Sequence, residues 1–303
     1  MISKLTKMLP RLALCAVALW PLTFAFFDTS ALAKGVHAPA AGQQVAVYEV
    51  YTGGVNVLRA TVKFDITSDQ RYSVTMDAGL KGFLARLVPW KGTFDSEGWI
   101  VAPTDFRPRL HRSAAIWQGD EERKDYHYTR AGGFQKLVVT ENGKTRVEKT
   151  DPALTRGTTD ALSAALAAFQ KVAAGQECSG SSEVFDGKRR FKQVFKDQGT
   201  EELRQSKYNR FQGQARKCTL EVVPAGGEWH KKPRGWMSIQ EQGRAAGTLP
   251  TLWLARLNNT GPAIPVKIML KTSYGTLFLH LAEYTDHAKM KPAKTDHEKT
   301  KKP

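Results

Sequence analysis

Aromatic and basic side chains alternate along one stretch of the sequence, between residues 83 and 117. Its apolar members are Phe83, Leu84, Trp90, Trp99, Phe106 and Trp117, and its basic members are Arg86, Lys91, Arg107, Arg109 and Arg112. An apolar groove edged by guanidinium groups would suit an acyl chain with an anionic headgroup, because apolar burial supplies free energy and arginine forks hold phosphate. We predict ligand binding here. The alternative is a plain β-sheet with aromatic side chains in its core and arginines on its outer face.

Two histidines, His111 and His127, fall on neighbouring predicted strands, where they could come together. A metal site needs more ligands than two histidines. Such a pair is more typical of surface or cross-strand contacts, so we predict neither a metal nor a cofactor.

An acidic cluster offers paired carboxylates, which in other proteins hydrolyse glycosidic bonds. It consists of Asp120, Glu121, Glu122 and Asp125. Arg123 and Lys124 lie among these residues, and this mixture favours a solvated hairpin tip over an acid–base pair.

No known nucleophile or phosphate motif is present in the sequence. Ser179, Ser181 and Ser182 follow Cys178 without a nucleophile turn, and the chain lacks G-x-S-x-G, H-E-x-x-H and P-loop patterns. No catalytic residue is therefore predicted. A hydrolase whose site is assembled only in three dimensions stays as an alternative.

The N-terminal segment predicts export. A cationic segment over residues 1–11 precedes an apolar run over residues 12–27, and Ala31 and Ala33 provide the small residues of a cleavage site. A membrane anchor would need about 20 apolar residues, and this run is shorter. We predict a signal peptide over residues 1–33, cleaved after Ala33.

The formal net charge of the chain is +16. For an exported protein the available polyanions are phospholipid headgroups, lipopolysaccharide phosphates and acidic wall polymers, so nucleic acid is not an expected partner. The alternative is a basic surface that only interacts with solvent. Composition predicts a flexible leader over residues 34–43, a single domain over residues 44–285 and a disordered Lys-rich tail over residues 286–303.

Two cysteines, Cys178 and Cys218, lie beyond the predicted signal peptide. An isolated pair in an oxidising compartment most simply forms one disulfide. Closing a loop of this length stabilises a protein by roughly 4 kcal/mol in the chain-entropy model.

Alternating apolar and polar residues dominate the first half of the chain and predict half-buried antiparallel strands. Glycine-bearing turns separate the strands, and we place one of these turns at Glu97-Gly98, between strands at residues 90–94 and 99–101. The second half resumes strands, one of which we predict at residues 237–240. Many short strands with such turns favour an open barrel or a spiral.

One central helix is expected between the two strand-rich halves. Thr158 or Thr159 could cap it, an apolar stripe runs from Leu162 to Ala173, and Gly175 ends it. Apolar residues at helical spacing over residues 80–88 predict a second, short helix that would cap a barrel mouth.

These motifs together resemble the bacterial envelope family known as domain of unknown function 3108. The matching segments are YEVYTGG at 48–54, AGLKG at 78–82, SEG at 96–98, PTDF at 103–106, TDALSA at 159–164, VFDGKR at 184–189, PV at 265–266 and GTL at 275–277. They cover almost the whole predicted domain and consist of turns, a helix start and strand patterns. The resemblance implies a periplasmic, largely antiparallel barrel-like protein and carries over no catalytic residue.

The sequence thus predicts a mainly β periplasmic protein, with an open barrel or spiral and a central helix. It is expected to be non-enzymatic and to bind a lipid-like or anionic envelope component. The alternatives are a scaffold that docks an envelope protein, and the hydrolase named above.

Overall fold

The computed structural model describes residues 43–66, 70–87, 89–117, 119–232, 236–258, 261–273 and 275–287. The predicted signal peptide, most of the leader and nearly all of the Lys-rich tail lie outside these residues. Among the described residues, no helix combines the length and the apolar character of a membrane-spanning segment.

Fourteen strands of the described residues form one antiparallel sheet. The strands are β1 Gln44–Thr52, β2 Val55–Ile66, β3 Arg71–Leu80, β4 Trp90–Ala102, β5 Asp105–Trp117, β6 Asp120–Tyr128, β7 Phe134–Glu141, β8 Lys144–Glu148, β9 Gly180–Phe185, β10 Arg189–Leu203, β11 Gly213–Gly227, β12 Thr251–Arg256, β13 Ala263–Thr272 and β14 Gly275–Asp286. Strands β1 to β8 form one meander and β9 to β14 another. Pairing between β1 and β14 joins the two, which leaves β8 and β9 as the edges.

The described residues form four helices, two more than the sequence predicts. They are α1 Gly82–Leu87, α2 Pro152–Thr155, α3 Ala161–Ala173 and α4 Trp236–Ala245. The predicted strand at residues 237–240 is wrong, because this segment lies in α4. The buried Gln240 makes two hydrogen bonds with the backbone of Val222 on β11, to its N–H (2.6 Å) and its carbonyl oxygen (3.0 Å). This long-range pairing fixes α4, and local periodicity does not reveal it.

The predicted turn at Glu97-Gly98 is also wrong, because both residues lie inside the continuous strand β4. The pairing of β4 with β5 shifts register here. A Cβ atom at Gly98 would come within 2.1 Å of the carbonyl oxygen of Arg107. Glycine therefore permits a close approach of two backbones at a bulge, which in a sequence looks much like a turn.

Side chains rather than backbone bonds close the seam between the two ends of the sheet. Phe185 at the end of β9 packs with Leu137 and Phe134 of β7, and the Tyr126 hydroxyl of β6 donates to the carbonyl oxygen of Asp186 at 2.7 Å. The sheet is thus curled like a barrel, and its backbone ladder stays open.

Strand register places the turns at two opposite rims. One rim, here called the α1 rim, holds α1, α4 and the turn at residues 52–55. It also holds the paired strand ends Trp117 with Asp120 and Thr272 with Gly275. The opposite rim holds the turns at residues 102–105 and 203–213. Helix α3 ends near the opposite rim, where the Arg256 guanidinium donates to the carbonyl oxygen of Ala173 at 3.2 Å.

The N-terminus of α3 is anchored inside the curled sheet by Asp160, which is fully buried. The Asp160 carboxylate caps the helix by accepting from the backbone N–H groups of Leu162 (2.9 Å) and Ser163 (3.0 Å). It also accepts from the Ser96 hydroxyl of β4 at 2.7 Å and from the Ser163 hydroxyl at 2.6 Å. The cap is therefore Asp160 rather than Thr158 or Thr159.

The C-terminal end of α3 is held by the predicted disulfide, which the structure confirms between Cys178 and Cys218. Asp197 lies beside it and accepts from the Cys178 N–H at 3.4 Å. Burial raises the pKa of this carboxyl, but hydrogen bonds from Arg216 and from the N–H groups of Gly199 and Cys178 outweigh burial and leave the pKa below its ordinary value. The ionised carboxylate thus links the bridge to β10 and β11.

We expect Asp160→Ala to lower the free energy of unfolding by about 3 kcal/mol, since it removes the cap and leaves the buried Ser96 hydroxyl without its acceptor. The matched control is Asp151→Ala, which removes the exposed N-cap of α2 and should cost about 1 kcal/mol. Urea unfolding followed by tryptophan fluorescence measures both. Equal losses in the two variants would contradict the anchoring role of Asp160.

Candidate ligand-binding cavity

An apolar cavity of about 380 Å³ lies between α3 and the concave face of the sheet. Helix α3 contributes Leu162, Ala165, Leu166 and Phe169. The strands contribute Tyr48, Val50, Ala60, Val62, Phe64, Val74, Met76, Gln193, Phe195, Leu220, Leu252, Pro265, Ile268, Leu270, Leu277 and Leu279, and Trp236 comes from α4. Nearly every lining side chain is a hydrocarbon, so the cavity suits an apolar ligand.

Two small side chains among the larger ones of the lining help to leave the space open. Ala165 on α3 and Ala60 on β2 both line it. Nearer the opposite rim, larger buried side chains such as Phe106, Trp253 and Leu281 pack in the main core with Leu166. The interior is consequently filled on one side of α3 and hollow on the side that leads toward the α1 rim.

A second cavity, of about 700 Å³, adjoins the first. The two share six lining residues: Met76, Leu162, Ala165, Gln193, Leu220 and Trp236. The other walls of the second cavity include apolar residues such as Phe191 and the polar side chains of Lys124, Asp186 and Arg189. Polarity thus rises with distance from the first cavity.

A polar recess of about 430 Å³ forms the mouth at the α1 rim. Its walls are Lys124, Asp186, Lys188, Arg189, Glu228, Trp229 and His230. The Arg189 guanidinium lies 4.8 Å from the centre of the Trp229 ring and 2.6 Å from the Asp186 carboxylate. Lys188 has no ion-pair partner among the described residues, so its charge is available to a ligand.

Two hydrogen-bond donors that line the first cavity have no acceptor among the described residues. They are the Tyr48 hydroxyl and Nε1 of Trp236. Burial, together with the nearby Tyr284, raises the pKa of Tyr48 well above its ordinary value, so its hydroxyl keeps the proton at every physiological pH. A buried donor without a partner calls for water or a ligand group.

Besides Lys91, which is exposed, ten residues of the interleaved stretch were predicted to bind a ligand, and these ten do not meet in one groove. Phe83, Leu84 and Arg86 are exposed on α1, Trp90 pairs with Trp117 at the α1 rim, and Phe106 is buried in the main core. None of the ten lines the first or the second cavity. Phe106 and Arg107 instead line a separate recess of about 380 Å³, and a ligand-binding role for this stretch stays a prediction.

The arginines of this stretch lie on the outer face of the sheet together with Trp99. Arg107 pairs with Asp105 at 2.8 Å, Arg109 pairs with Glu97, and Arg112 pairs with Asp95 at 3.2 Å. Successive residues of a strand face opposite sides. An interleaved aromatic and basic pattern is therefore divided between core and surface, which is the alternative that the sequence left open.

His111 and His127 do lie on neighbouring strands, but they face opposite sides of the sheet. His111 pairs with Tyr126 and His127 pairs with Leu110, so the two histidines occupy adjacent, oppositely directed positions of the β5–β6 ladder. Burial, followed by the charge of Lys136, lowers the pKa of His127. The two histidines cannot share a metal.

His111 instead meets a serine and a carboxylate in the interior. Its Nδ1 lies 2.7 Å from the Ser96 hydroxyl and 3.5 Å from the Asp160 carboxylate. In a catalytic triad the serine and the carboxylate bind opposite nitrogens of the imidazole. Here both lie at Nδ1, and the serine donates to the helix-capping carboxylate. The arrangement fits a structural anchor better than an activated nucleophile.

Sequence reasoning missed the cavity because its lining is spread over eight strands and two helices. The small residue Ala165, within the apolar stripe of α3, was the available signal. Ala165 indicates a cavity only when Ala60 faces the same space, and Ala60 lies 105 positions earlier in the chain.

Fold and cavity together define an open, barrel-like antiparallel β protein with a helix and a hollow space inside. The chain belongs to the family described as a protein of unknown function, DUF3108, which matches residues 47–282. This confirms the resemblance seen in the sequence motifs.

Among solved structures, the chain is similar to a β-barrel-like protein of the domain of unknown function DUF1849 from Brucella abortus. The TM-score is 0.45 and the sequence identity is 12%, over 81% of this chain and 98% of that chain. Comparison with curated proteins finds no match.

We expect Ser96→Ala to lower the free energy of unfolding by about 1–3 kcal/mol, because it removes a buried hydrogen-bond donor to Asp160. Its control is Ser181→Ala, an exposed serine on the edge strand β9, which should cost almost nothing. Hydrolysis of a p-nitrophenyl ester is measured in parallel. A wild-type esterase activity that Ser96→Ala abolishes and Ser181→Ala preserves would contradict the purely structural role.

Proposed function

We propose that this protein binds a lipid-like anion of the cell envelope, non-enzymatically, inside the hollow part of its curled sheet. The observation that carries the proposal is the succession of three adjoining spaces, from the apolar cavity to the polar recess at the α1 rim. An amphipathic molecule has the same succession of apolar and polar parts.

The apolar cavity supplies the free energy of binding in this proposal. Its volume lies within the range of roughly 300–1,000 Å³ typical of small-molecule sites. Each methylene group moved from water into such a site contributes about 0.8 kcal/mol. An acyl chain gains more from this space than a compact polar ligand, which would lose its hydration without finding partners along hydrocarbon walls.

The polar groups would orient the ligand. Tyr48 and Trp236 offer unpaired donors to an ester or carbonyl oxygen within the apolar part. Lys188 offers an unpaired charge at the recess, next to the stacked Arg189 and Trp229. A carboxylate or phosphate headgroup is the ligand group that these side chains suit best.

The envelope assignment is supported by features outside the cavity. The N-terminal pattern ending at Ala33 is that of a signal peptide, and a disulfide joins Cys178 to Cys218. We place the protein in the periplasm, where anionic lipids and lipopolysaccharide are available to a mature chain whose formal net charge is +14, because residues 1–33 carry +2 of the total of +16.

Ala165→Phe tests the cavity directly, since its ring would occupy the space shared by the first two cavities. Excluding about two methylene groups of a ligand costs about 1.6 kcal/mol, or roughly fifteenfold in Kd. The measurement is titration with a dansyl-labelled fatty acid. The control, Ala174→Phe, places the same ring at the exposed C-cap of α3 and should bind like the wild type. If the wild type neither binds the probe nor carries co-purified lipid in native mass spectrometry, the proposal is wrong.

Lys188→Gln tests the headgroup site. We expect it to weaken fatty-acid binding by about two- to fivefold, the range of an exposed charge contact, and to leave binding of a long-chain alcohol unchanged. Lys149→Gln, at the exposed residue that follows β8 near the opposite rim, serves as the control. Equal effects on acid and alcohol in a competition assay would show that Lys188 does not contact the headgroup.

A further inference from the structure

Exposed apolar side chains concentrate at the α1 rim. Among the described residues, eight large hydrophobic side chains are classed as exposed, and six of them lie at this rim: Val55, Phe83, Leu84, Leu87, Ile116 and Trp117. The exposed fraction reaches 70% for Phe83 and 52% for Trp117. Singly exposed apolar residues need no explanation, but a group of them marks an interaction site.

Helix α1 is the centre of this group. It buries none of its residues, although Phe83, Leu84 and Leu87 recur at helical spacing. A short helix gains its stability mainly from packing an apolar face. The chain after α1 leads from Leu87 through Pro89 to Trp90, which pairs with Trp117 on β5. The rim therefore presents the three apolar residues of α1 close to two tryptophans.

Basic residues accompany this apolar group. Arg86 lies on α1, and Lys91 pairs across the ladder with Ile116. Both are exposed, and neither has an ion-pair partner among the described residues. Asp120 and Glu121 lie at the hairpin beyond Trp117, and Asp120 accepts from the Asn142 amide at 3.3 Å. The cationic side of the rim is thus the α1 side.

We infer that the α1 rim docks on the surface of a lipid bilayer that contains anionic lipids. Phe83, Leu84 and Leu87 enter the interface, Trp117 lies at headgroup level, and Arg86 and Lys91 face the lipid phosphates. Tryptophan and basic residues flanking apolar side chains are the combination found at membrane interfaces. The formal net charge of the mature chain, +14 without residues 1–33, favours the same partner.

The geometry of the rim favours a membrane over a second protein. The exposed residues lie on a helix and on strand ends, where they project from the edge of the sheet, rather than on a broad flat face. The recess that leads to the cavities opens at the same rim through Lys188 and Trp229. Docking would bring the opening of the cavity to the source of its proposed ligand. Membrane docking of this rim extends the proposed function, but it does not require that the cavity binds a ligand.

Flotation with vesicles tests the inference. The mature full chain is mixed with vesicles of about 70% phosphatidylcholine and about 30% phosphatidylglycerol, whose negative surface attracts basic side chains. We expect Phe83→Ser/Leu87→Ser/Trp117→Ser to reduce the bound fraction by about tenfold or more, since it removes the inserted apolar groups. Arg86→Gln/Lys91→Gln should reduce binding to these vesicles and leave the weaker binding to pure phosphatidylcholine unchanged.

The matched control is Val101→Ser/Val147→Ser, which alters the two exposed hydrophobic residues outside the α1 rim. It should bind vesicles like the wild type. Equal losses in the rim and control variants, or no wild-type binding to either vesicle, would overturn the inference. A wild-type dimer that the rim variant converts to a monomer in sedimentation velocity would also overturn it, because a second copy would then cover the rim.

The dansyl fatty-acid titration separates this inference from the proposed function. The rim variant should bind the probe in solution with wild-type affinity. Vesicle binding without probe binding would overturn the proposed function and support the docking rim. Probe binding without vesicle binding would do the reverse.

Discussion

The interior of this protein depends on one buried carboxylate. Asp160 accepts hydrogen bonds from two backbone N–H groups of α3 and from a hydroxyl group of β4. It therefore fixes both the start of the helix and the position of the helix against the sheet. A carboxyl group with no exposed surface is tolerated only where several hydrogen-bond donors surround it. The Ser163 hydroxyl, which binds both Asp160 and the Tyr72 hydroxyl at 2.6 Å, completes the set. The helix cannot slide along the interior without breaking these bonds together.

The position of α3 decides which part of the interior is filled. Between Asp160 and the disulfide after its C-terminus, the helix packs Leu166 and Phe169 against strands from both meanders. Helix α3 begins inside the sheet and runs toward the opposite rim. Between its start and the α1 rim, no other helix of the described chain fills the interior. A curled sheet of fourteen strands is too wide for its own side chains to fill. The cavity therefore results from two features: a sheet too wide to be filled by its own side chains, and a helix whose position along the interior is fixed at both ends.

Much of the fold could be predicted from local patterns, and the failures have physical reasons. Alternating apolar and polar residues predicted strands that have one buried and one solvent-exposed face. Only two cysteines, Cys178 and Cys218, lie beyond the predicted signal peptide, so a single pairing was possible, and the structure confirms it. The prediction of a turn at Gly98 was wrong because glycine also occurs where two backbones lie in close contact. The helix around Gln240 was missed because a long-range pair of hydrogen bonds with Val222 stabilises it.

The candidate site was harder to predict than the fold, because the site is a cavity, and a cavity depends on how much of the interior the side chains leave empty. Arg107, Arg109 and Arg112 were predicted to hold an anionic headgroup because arginine forks bind phosphate. Each of them pairs instead with a carboxylate on the outer face of the sheet. Ala60 and Ala165 carry no reactive or charged group, so neither stands out in the sequence. They leave space only because the fold places both of them along the same cavity. Phe83 and Trp117, read in the sequence as parts of a groove, lie exposed at the rim instead. The exposed apolar residues of the α1 rim and the apolar cavity inside the sheet support one proposal together. The proposed amphipathic ligand would cross this rim on leaving a bilayer, and its path would be shortest where the rim touches the bilayer.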